Sequence, residues 1–337
     1  MMSKIIITDT TLRDGSHSVR HQFTLEDTRQ IVKALDAAKI DIIEVGHGDG
    51  LAGSTCNYGF SAVPEMDMIR AAAQTAKQAR VAVLLIPGIG TVPDLVQAKE
   101  AGATVVRVAT HVTEADISHE HIAVAKKMGF FVVGFLMMAH RASPQRILEE
   151  ARKMQGYGAD VVYATDSAGA LLPEGVRERI TLMKNNLSIP VGFHSHNNLG
   201  LAIGNSLAAI STGADYIDGS LGGLGAGAGN TSTEMLIAVL QRAGIDKNAD
   251  LYGTMDACTK VLNPILTRHG VALPQIHDPL MLGFAGVYSS FMLHAKQAAA
   301  RFHVDYRDII VEAGRREAVG GQEDWLYEIA RELSGNS

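Results

Sequence analysis

The feature that most constrains the fold is an alternation of short β-branched runs with longer stretches of helical periodicity. Eight such units fit within about 245 residues. The predicted strands are Lys4–Thr10, Asp41–Gly46, Arg80–Ile86, Val105–His111, Phe131–Met138, Val161–Ser167, Pro190–His196 and Tyr216–Leu221. Amphipathic segments such as Leu25–Ala38 and Pro144–Tyr157 follow them. This pattern predicts an α/β fold, the (β/α)8 TIM barrel; the alternative, a doubly wound sheet, rarely needs eight evenly spaced units.

The pattern changes after about Ile245, where helical periodicity continues without further strand signals. The predicted helices are Tyr252–Arg268, Gly286–Phe302, Arg307–Arg315 and Glu323–Leu333. We therefore predict a catalytic TIM-barrel domain at 1–262 and a C-terminal all-helical extension at 263–337. Several apolar residues of this extension look exposed, namely Leu280, Met281, Leu282, Phe284, Phe291 and Met292. They predict a surface that docks a partner or closes the barrel mouth.

Composition indicates a metabolic enzyme of the cytoplasm. Apolar residues make up 47% of the chain, which allows a sizeable core, and the net charge is −6. No block of Lys and Arg stands out, so nucleic acid is not an expected partner. The two cysteines do not form a disulfide framework of the secreted kind. No apolar run approaches the roughly 20 residues of a membrane helix, and the N-terminus lacks a signal-peptide core.

Two histidines end the seventh predicted strand, as His194-Ser195-His196. Residues two apart in a strand point to the same face, so both imidazoles can converge on one cation. The alternative is a pair of barrel histidines whose polar atoms are satisfied by hydrogen bonds. We favour a metal site because the carboxyl ends of barrel strands form the active-site face.

A second polar cluster, Arg13-Asp14-Gly15-Ser16-His17, follows the first predicted strand. It offers a carboxylate, a permanent cation and a third imidazole. Asp14 is the candidate metal ligand, with Asp9 as the alternative, because carboxylates near strand ends also cap helices and loops. Arg13 could instead only pair with neighbouring carboxylates, and His17 could be a surface residue.

A glycine-rich loop runs from Gly222 to Gly229. Its glycine spacings overlap those of a dinucleotide-binding fingerprint, but that fingerprint follows the first strand of a βαβ unit, and this loop follows the last barrel strand. We predict that the loop lets backbone approach the site closely, and that Asn230 caps the final barrel helix.

Two motifs, Thr8–Gly15 and His194–Gly200, resemble those of the metal-dependent barrel lyases and synthases related to 3-hydroxy-3-methylglutaryl-CoA lyase. Further motifs make the chain similar, over essentially its whole length, to the 4-hydroxy-2-oxovalerate aldolase family; they are His17–Thr24, Glu44–Gly50, Asp166–Gly169 and Gly286–Phe291. The CoA-thioester lyase carries a cysteine in the glycine loop, and the Claisen-type synthases carry a Glu-Arg pair there. This chain has Ala226-Gly227 and no cysteine in that loop, which weakens both CoA-dependent alternatives.

The resemblance implies a divalent-metal-dependent (class II) pyruvate aldolase. Asp14, His194 and His196 would hold Mn²⁺, with Mg²⁺ or Co²⁺ as alternatives, because a mixed oxygen and nitrogen site with open positions suits these ions. The implied reaction is retro-aldol cleavage of 4-hydroxy-2-oxopentanoate to pyruvate and acetaldehyde in meta-cleavage catabolism of aromatic compounds and steroids.

The resemblance also implies roles for individual side chains. Arg13 would stabilise the enolate oxygen, and His17 would accept the proton of the C4 hydroxyl, since an imidazole titrates near neutral pH. Ser167 would bind the substrate carboxylate, and His194 would touch the substrate as well as the metal. Tyr288 would close the pocket near the hydroxyl or the departing aldehyde.

Members of the family pair with an acylating acetaldehyde dehydrogenase, which implies a hetero-oligomer, a heterotetramer by analogy, in which the aldehyde passes directly to the partner. Four alternatives stay open: 4-hydroxy-2-oxohexanoate as the main substrate with propanal as product, a CoA-dependent Claisen-type enzyme, a metallohydrolase, and a barrel that only binds a partner. Arg13 beside the metal argues against the metallohydrolase. Sequence logic alone leaves open whether His17 or His21 is the base.

Overall fold

The structure is a computed structural model that describes residues 5–245, 248–272, 281–283 and 285–335. Eight parallel strands form a closed barrel in chain order, with β8 paired to β1. They are β1 Ile6–Leu12, β2 Ile42–Val45, β3 Arg80–Leu85, β4 Val105–His111, β5 Phe131–Met137, β6 Val161–Asp166, β7 Val191–Ser195 and β8 Tyr216–Gly219. The predicted TIM barrel is confirmed, and the strand ends differ from the prediction by two residues at most.

Helices surround the barrel. They are α1 Leu25–Ala37, α2 Glu65–Thr75, α3 Val92–Glu100, α4 His119–Lys127, α5 Pro144–Tyr157, α6 Pro173–Asn186, α7 Ala202–Ser211 and α8 Thr233–Arg242. Local sequence explains their ends, as in α5, where the Ser143 hydroxyl accepts the Arg146 N–H and Gly158 ends the helix with φ +109°. The main core lies between strands and helices, and a second apolar group fills the barrel interior.

The interior group shows which side chains point into the barrel. Val105 and Ala109 of β4 and Val161 and Tyr163 of β6 belong to it. Because strand residues two apart share a face, the same face continues toward the carboxyl ends at His111 on β4 and at Thr165 and Ser167 on and just after β6. The mouth at the carboxyl ends of the strands is therefore polar.

Two short helices lead from the barrel into the C-terminal extension. Helix α9 Leu251–Asp256 and helix α10 Asn263–Arg268 are joined by a π-helical turn, Ala257–Leu262, and α10 packs on the barrel core through Ile265 and Leu266. The last three helices, α11 Phe291–Phe302, α12 Tyr306–Arg315 and α13 Asp324–Gly335, form a separate apolar cluster. The division at 262/263 stays a prediction.

Two expectations for this extension were wrong. Leu282 and Phe291 are buried in the tail core, and Met281 and Met292 pack against it. These apolar side chains therefore pack together instead of forming an exposed surface. Leu280 and Phe284 lie outside the described residues. The helix predicted from Gly286 begins only at Phe291, because Gly286 takes φ +70° and ends the preceding turn.

No helix in the described ranges is long and apolar enough to cross a bilayer.

Candidate active site

Asp14, His194 and His196 come together at the carboxyl mouth of the barrel. Each offers one ligand atom, and these atoms lie within 4.8 Å of one another; Asp14 Oδ2 and His196 Nε2 are 4.0 Å apart. All three residues are buried. Protein ligand atoms lie about 2 Å from a first-row metal ion. The three ligand atoms can therefore bind one ion if they move slightly closer together.

Asp14 is held as a carboxylate by three hydrogen-bond donors. Its Oδ1 accepts from Arg13 Nη1 at 2.8 Å, and its Oδ2 accepts from Asn230 Nδ2 at 2.6 Å and from the Ala226 N–H at 3.3 Å. Burial alone would raise the pKa of Asp14, but the Arg13 guanidinium and the nearby imidazoles, His196 first, hold it well below its usual range. A metal ligand must be deprotonated, and this carboxylate is.

The glycine loop approaches the site as predicted, but Asn230 does not cap a helix. A Cβ at Gly225 would lie 2.7 Å from Asp14 Oδ2, so only glycine lets the backbone come this close. The cap of α8 is Ser232, whose hydroxyl accepts the Met235 N–H. The Asn230 amide is free of that role because it donates to Asp14 instead.

His194 is oriented by a buried carboxylate. Its Nδ1 lies 2.8 Å from Asp218 Oδ2, which fixes the proton on Nδ1 and leaves Nε2 as the ligand atom. Metal-binding histidines characteristically donate their other N–H to a carboxylate in this way. Burial lowers the pKa of His196 to about 4, with Asp14 opposing and His194 and Arg13 adding to the shift, so this imidazole is also neutral. The donor set fits a divalent cation.

A buried ion network links the metal cluster to Arg13. Arg13 Nε donates to Glu44 Oε2 at 2.8 Å, and the same oxygen accepts from Arg107 Nη1 at 2.9 Å. Arg107 also pairs with Asp218, the partner of His194. The Arg107 guanidinium stacks on the Phe135 and Tyr163 rings inside the barrel. With the Arg13–Asp14 pair, two guanidinium groups face three buried carboxylates away from water.

Asp9, the alternative ligand, does not belong to the metal cluster. Its Oδ1 accepts the Thr11 N–H at 3.0 Å, and its Oδ2 accepts the Thr233 hydroxyl at 2.7 Å. These bonds tie β1 to α8. Of the two aspartates, it is Asp14 whose carboxylate lies beside His194 and His196.

His17 lies beside this cluster in a 3₁₀ turn, Asp14–Val19, and is partly exposed. Its ring packs edge-on against the His21 ring, with 4.9 Å between the ring centroids. The His21 ring in turn stacks on the His47 ring, with 3.7 Å between the centroids. Burial, with the charges of His17 and His47, lowers the pKa of His21 to about 3, so His21 is a poor proton acceptor near neutral pH. Of the two candidate bases, this environment favours His17.

Ser167 and Tyr288 lie on the other side of the mouth. The Ser167 hydroxyl accepts the Met138 N–H at 3.0 Å, which holds it at an inward position after β6. Tyr288 comes from the non-helical stretch before α11, and burial raises the pKa of its phenol. The tail is tied to the barrel nearby by His140, whose Nε2 lies 3.0 Å from the Gly286 carbonyl oxygen.

The sequence-predicted residues thus lie around one mouth, but sequence reasoning missed three residues that organise it. Arg107, Asn230 and His47 contact site residues from distant parts of the chain. A lone arginine within the apolar strand Val105–His111 was the one available signal. The bonds of Asn230 and His47 follow only from the closed barrel.

Fold and site define a barrel of the HMGL-like class, whose family model matches residues 4–261. A second family model, the DmpG-like communication domain, matches residues 276–335. The chain is 54% identical over 332 residues to the 4-hydroxy-2-oxovalerate aldolase of Geobacillus genomosp. 3, covering 98% of this chain and 97% of that protein. It is 56% identical over 335 residues to the protein of the same name from Pelotomaculum thermopropionicum, covering 99% and 97%. The chain therefore belongs to the 4-hydroxy-2-oxovalerate aldolase family and is a lyase, which confirms the resemblance.

Among solved structures, the carboxyl transferase domain of Rhizobium etli pyruvate carboxylase has the same fold. The TM-score is 0.82 at 14% identity, and the match covers 99% of this chain and 60% of the other. At this identity the likeness concerns the fold alone.

Proposed function

We propose that this chain cleaves 4-hydroxy-2-oxopentanoate to pyruvate and acetaldehyde in a divalent-metal-dependent reaction. The observation that carries the proposal is the buried Asp14, His194 and His196 cluster, with His194 oriented by Asp218. The family membership supports the aldolase activity. The metal, the substrate length and the role of each side chain are our inference.

Asp14, His194 and His196 would hold Mn²⁺, with Mg²⁺ or Co²⁺ as alternatives. One carboxylate oxygen and two imidazole nitrogens leave open positions, which suits these ions better than a closed tetrahedral zinc site. Bound there, the ion would supply Lewis-acid polarisation of the 2-oxo acid.

Arg13 would stabilise the negative charge that develops on the 2-oxo oxygen. Its hydrogen bonds to described residues use Nε and Nη1, toward Glu44 and Asp14, so the guanidinium is fixed in place while Nη2 stays available. A pre-oriented, permanently charged donor in a buried site stabilises such charge without reorganisation.

His17 would take the proton of the C4 hydroxyl as the C3–C4 bond breaks. The bonding electron pair goes to the pyruvate half as an enolate, and C4 becomes the aldehyde carbon. A proton from solvent at C3 then gives pyruvate, and His17 releases its proton to solvent. Ser167 would bind the substrate carboxylate, His194 would border the substrate, and Tyr288 would close the pocket around the aldehyde half. The positions of these side chains around one mouth support the assignment.

We also propose that the tail, 263–337, docks an acylating acetaldehyde dehydrogenase in a hetero-oligomer and that the aldehyde passes to it within the cytoplasm. The match to the DmpG-like communication domain supports a communicating role for 276–335. Such a pair would serve meta-cleavage catabolism of aromatic compounds or steroids.

The test is pyruvate release by the Mn²⁺-loaded chain from 4-hydroxy-2-oxopentanoate and from 4-hydroxy-2-oxohexanoate. We expect both to be cleaved, with the five-carbon acid at the higher kcat/KM. A clear preference for the six-carbon acid would make propanal the main product. Absence of pyruvate from both acids would contradict the proposal.

A further inference from the structure

One polar cluster at the barrel mouth is not used to build the metal site. It consists of His111, Arg141 and Tyr288, which we call the β4–β5 cluster. His111 ends β4, Arg141 lies in the 3₁₀ turn Ala139–Arg141 after β5, and Tyr288 comes from the tail. β4 and β5 are paired at His111 and Met137, four residues before Arg141. His140, next to Arg141, contacts the Gly286 carbonyl oxygen, two residues before Tyr288. The three residues therefore belong to neighbouring parts of the mouth.

His111 carries a buried N–H donor that lacks an acceptor. Its Nδ1 lies 2.8 Å from the Thr113 hydroxyl oxygen and 3.4 Å from the Thr113 backbone nitrogen. With both Thr113 groups donating to Nδ1, the ring proton is on Nε2. Nε2 is buried and has no hydrogen-bond partner among the residues that the structure describes. An unsatisfied buried donor costs about 1–3 kcal/mol, so such a group usually has a ligand or a water to explain it.

Arg141 carries a mostly buried cation with weak protein partners. Its side chain is 13% exposed, and its ion pair is a 3.5 Å contact with Glu317, which is 79% exposed. A second carboxylate near the cluster is that of Glu114, which is also exposed. Exposed carboxylates hold a cation weakly because water competes for them. The guanidinium is therefore available to a stronger anion.

Tyr288 adds a third donor. Burial raises the pKa of its phenol, Glu114 adds to the rise and Arg141 opposes it, so the hydroxyl keeps its proton at neutral pH. A guanidinium, an imidazole N–H and a phenol thus lie on the side of the mouth assigned to the aldehyde half. This combination suits a carboxylate, which accepts several hydrogen bonds.

We propose that His111, Arg141 and Tyr288 bind a carboxylate on the aldehyde half of the substrate, so that the enzyme also handles 4-hydroxy-2-oxo acids with a second acid group. This inference rests on the proposed aldolase function. The chemistry is unchanged: the C3–C4 bond breaks, the electron pair goes to the pyruvate half, and the C4 hydroxyl proton goes to His17. The aldehyde product then carries the carboxylate.

The test compares aldehydes of equal length in the aldol direction, with pyruvate and the Mn²⁺-loaded full chain. The pairs are glyoxylate with acetaldehyde, and succinic semialdehyde with butanal. The wild type should prefer the acid member of at least one pair by kcat/KM. Arg141→Met should lower the value for that acid on the order of 10- to 100-fold, as loss of a charge-assisted hydrogen bond does. Its value for the neutral partner should stay within about twofold.

Glu317→Gln is the matched control, because it removes the ion pair to the tail and leaves the guanidinium. It should keep the preference for the acid. Equal losses for both members of a pair in Arg141→Met, the same loss in Glu317→Gln, or rejection of both acids by the wild type would overturn the inference. Failure with all four aldehydes would instead count against the proposed aldolase function.

Discussion

At the scale of single residues, Asp218 fixes the orientation and tautomer of His194, a proposed metal ligand, and is not itself a proposed ligand. It accepts from His194 Nδ1 and pairs with Arg107, and Arg107 shares Glu44 with Arg13. Every member of this network is buried. Removing one partner of a buried ion pair typically costs about 3–5 kcal/mol, so this network ties the orientation of the metal site to the stability of the barrel.

His17→Ala separates the proton acceptor from the rest of the site. Oxaloacetate decarboxylation also forms the pyruvate enolate, but it has no hydroxyl to deprotonate. We expect the variant to lose retro-aldol cleavage by a factor on the order of 10²–10⁴, as removal of a general base does, while decarboxylation largely survives. Both rates are measured by pyruvate formation.

Arg13→Ala is the comparison variant, and it should impair both reactions because the enolate is common to them. If His17→Ala reduced the two reactions equally, His17 would not be the base, and His21 or a bound water would take its place.

The sequence predicts the candidate ligands but not the residues that orient them. His194 and His196 could be predicted because strand residues two apart share a face, and Asp14 because it follows a strand that ends at the same mouth. Arg107 lies 63 residues from Glu44 and 111 from Asp218 in the chain. No local sequence pattern predicts such contacts, because these residues come together only in the closed barrel.

At the scale of elements, the 3₁₀ turn Asp14–Val19 places His17 against the loop that follows β2. The fit is tight, since a Cβ at Gly48 would lie 2.3 Å from His17 Nε2. Glycine at this position therefore determines where the imidazole sits.

Gly48→Ala should displace the His17 ring while leaving the ligand cluster intact. Because small misplacements of a catalytic group cost on the order of 10²-fold, we expect a retro-aldol loss of that size with normal Mn²⁺ binding and normal oxaloacetate decarboxylation. Steady-state kinetics of the two reactions and a metal titration measure this.

The matched control is Gly156→Ala in α5, where an added Cβ meets nothing within 4 Å. It should leave both reactions unchanged. Full aldol activity in Gly48→Ala would contradict the placement of the base.

Element prediction succeeded where one signal dominated. The β-branched runs gave all eight strands, and α5 matches its predicted bounds because Ser143 and Gly158 mark its ends. The prediction of a helix over Gly286–Phe302 was wrong at its start. The helical periodicity of the sequence begins at Gly286, but Gly286 takes φ +70° and the helix begins at Phe291. Tyr288 lies between these two residues.

At the scale of the whole molecule, the tail has its own apolar core. Counting apolar residues in the sequence overstated its exposed surface, because whether an apolar side chain is buried depends on the packing of α11, α12 and α13. Among the large apolar residues of the described tail helices, Leu293 of α11 stands out at 63% exposed. Leu293 is therefore the position to test for docking.

Leu293→Glu should weaken association with an acylating acetaldehyde dehydrogenase, because a charge in an apolar contact must be desolvated. Metal binding and cleavage by the free chain should not change. Co-purification after co-expression, and competition between added and internally formed acetaldehyde, measure the association.

The matched control is Leu172→Glu. Leu172 is 61% exposed and precedes α6 of the barrel, so this variant should leave association intact. Equal association by both variants would place the docking surface elsewhere. A free chain that stays monomeric at micromolar concentration and associates with no acylating dehydrogenase would contradict the docking proposal.

The central claim is that Asp14, His194 and His196 hold the divalent ion on which cleavage depends. Its most direct test is pyruvate release from 4-hydroxy-2-oxopentanoate by metal-free chain titrated with Mn²⁺, alongside His194→Ala and the exposed-imidazole control His119→Ala. We predict no cleavage without metal, restoration at one Mn²⁺ per chain in the wild type and in His119→Ala, and loss of both metal and activity in His194→Ala. Full cleavage by metal-free protein, or by His194→Ala, would contradict the account.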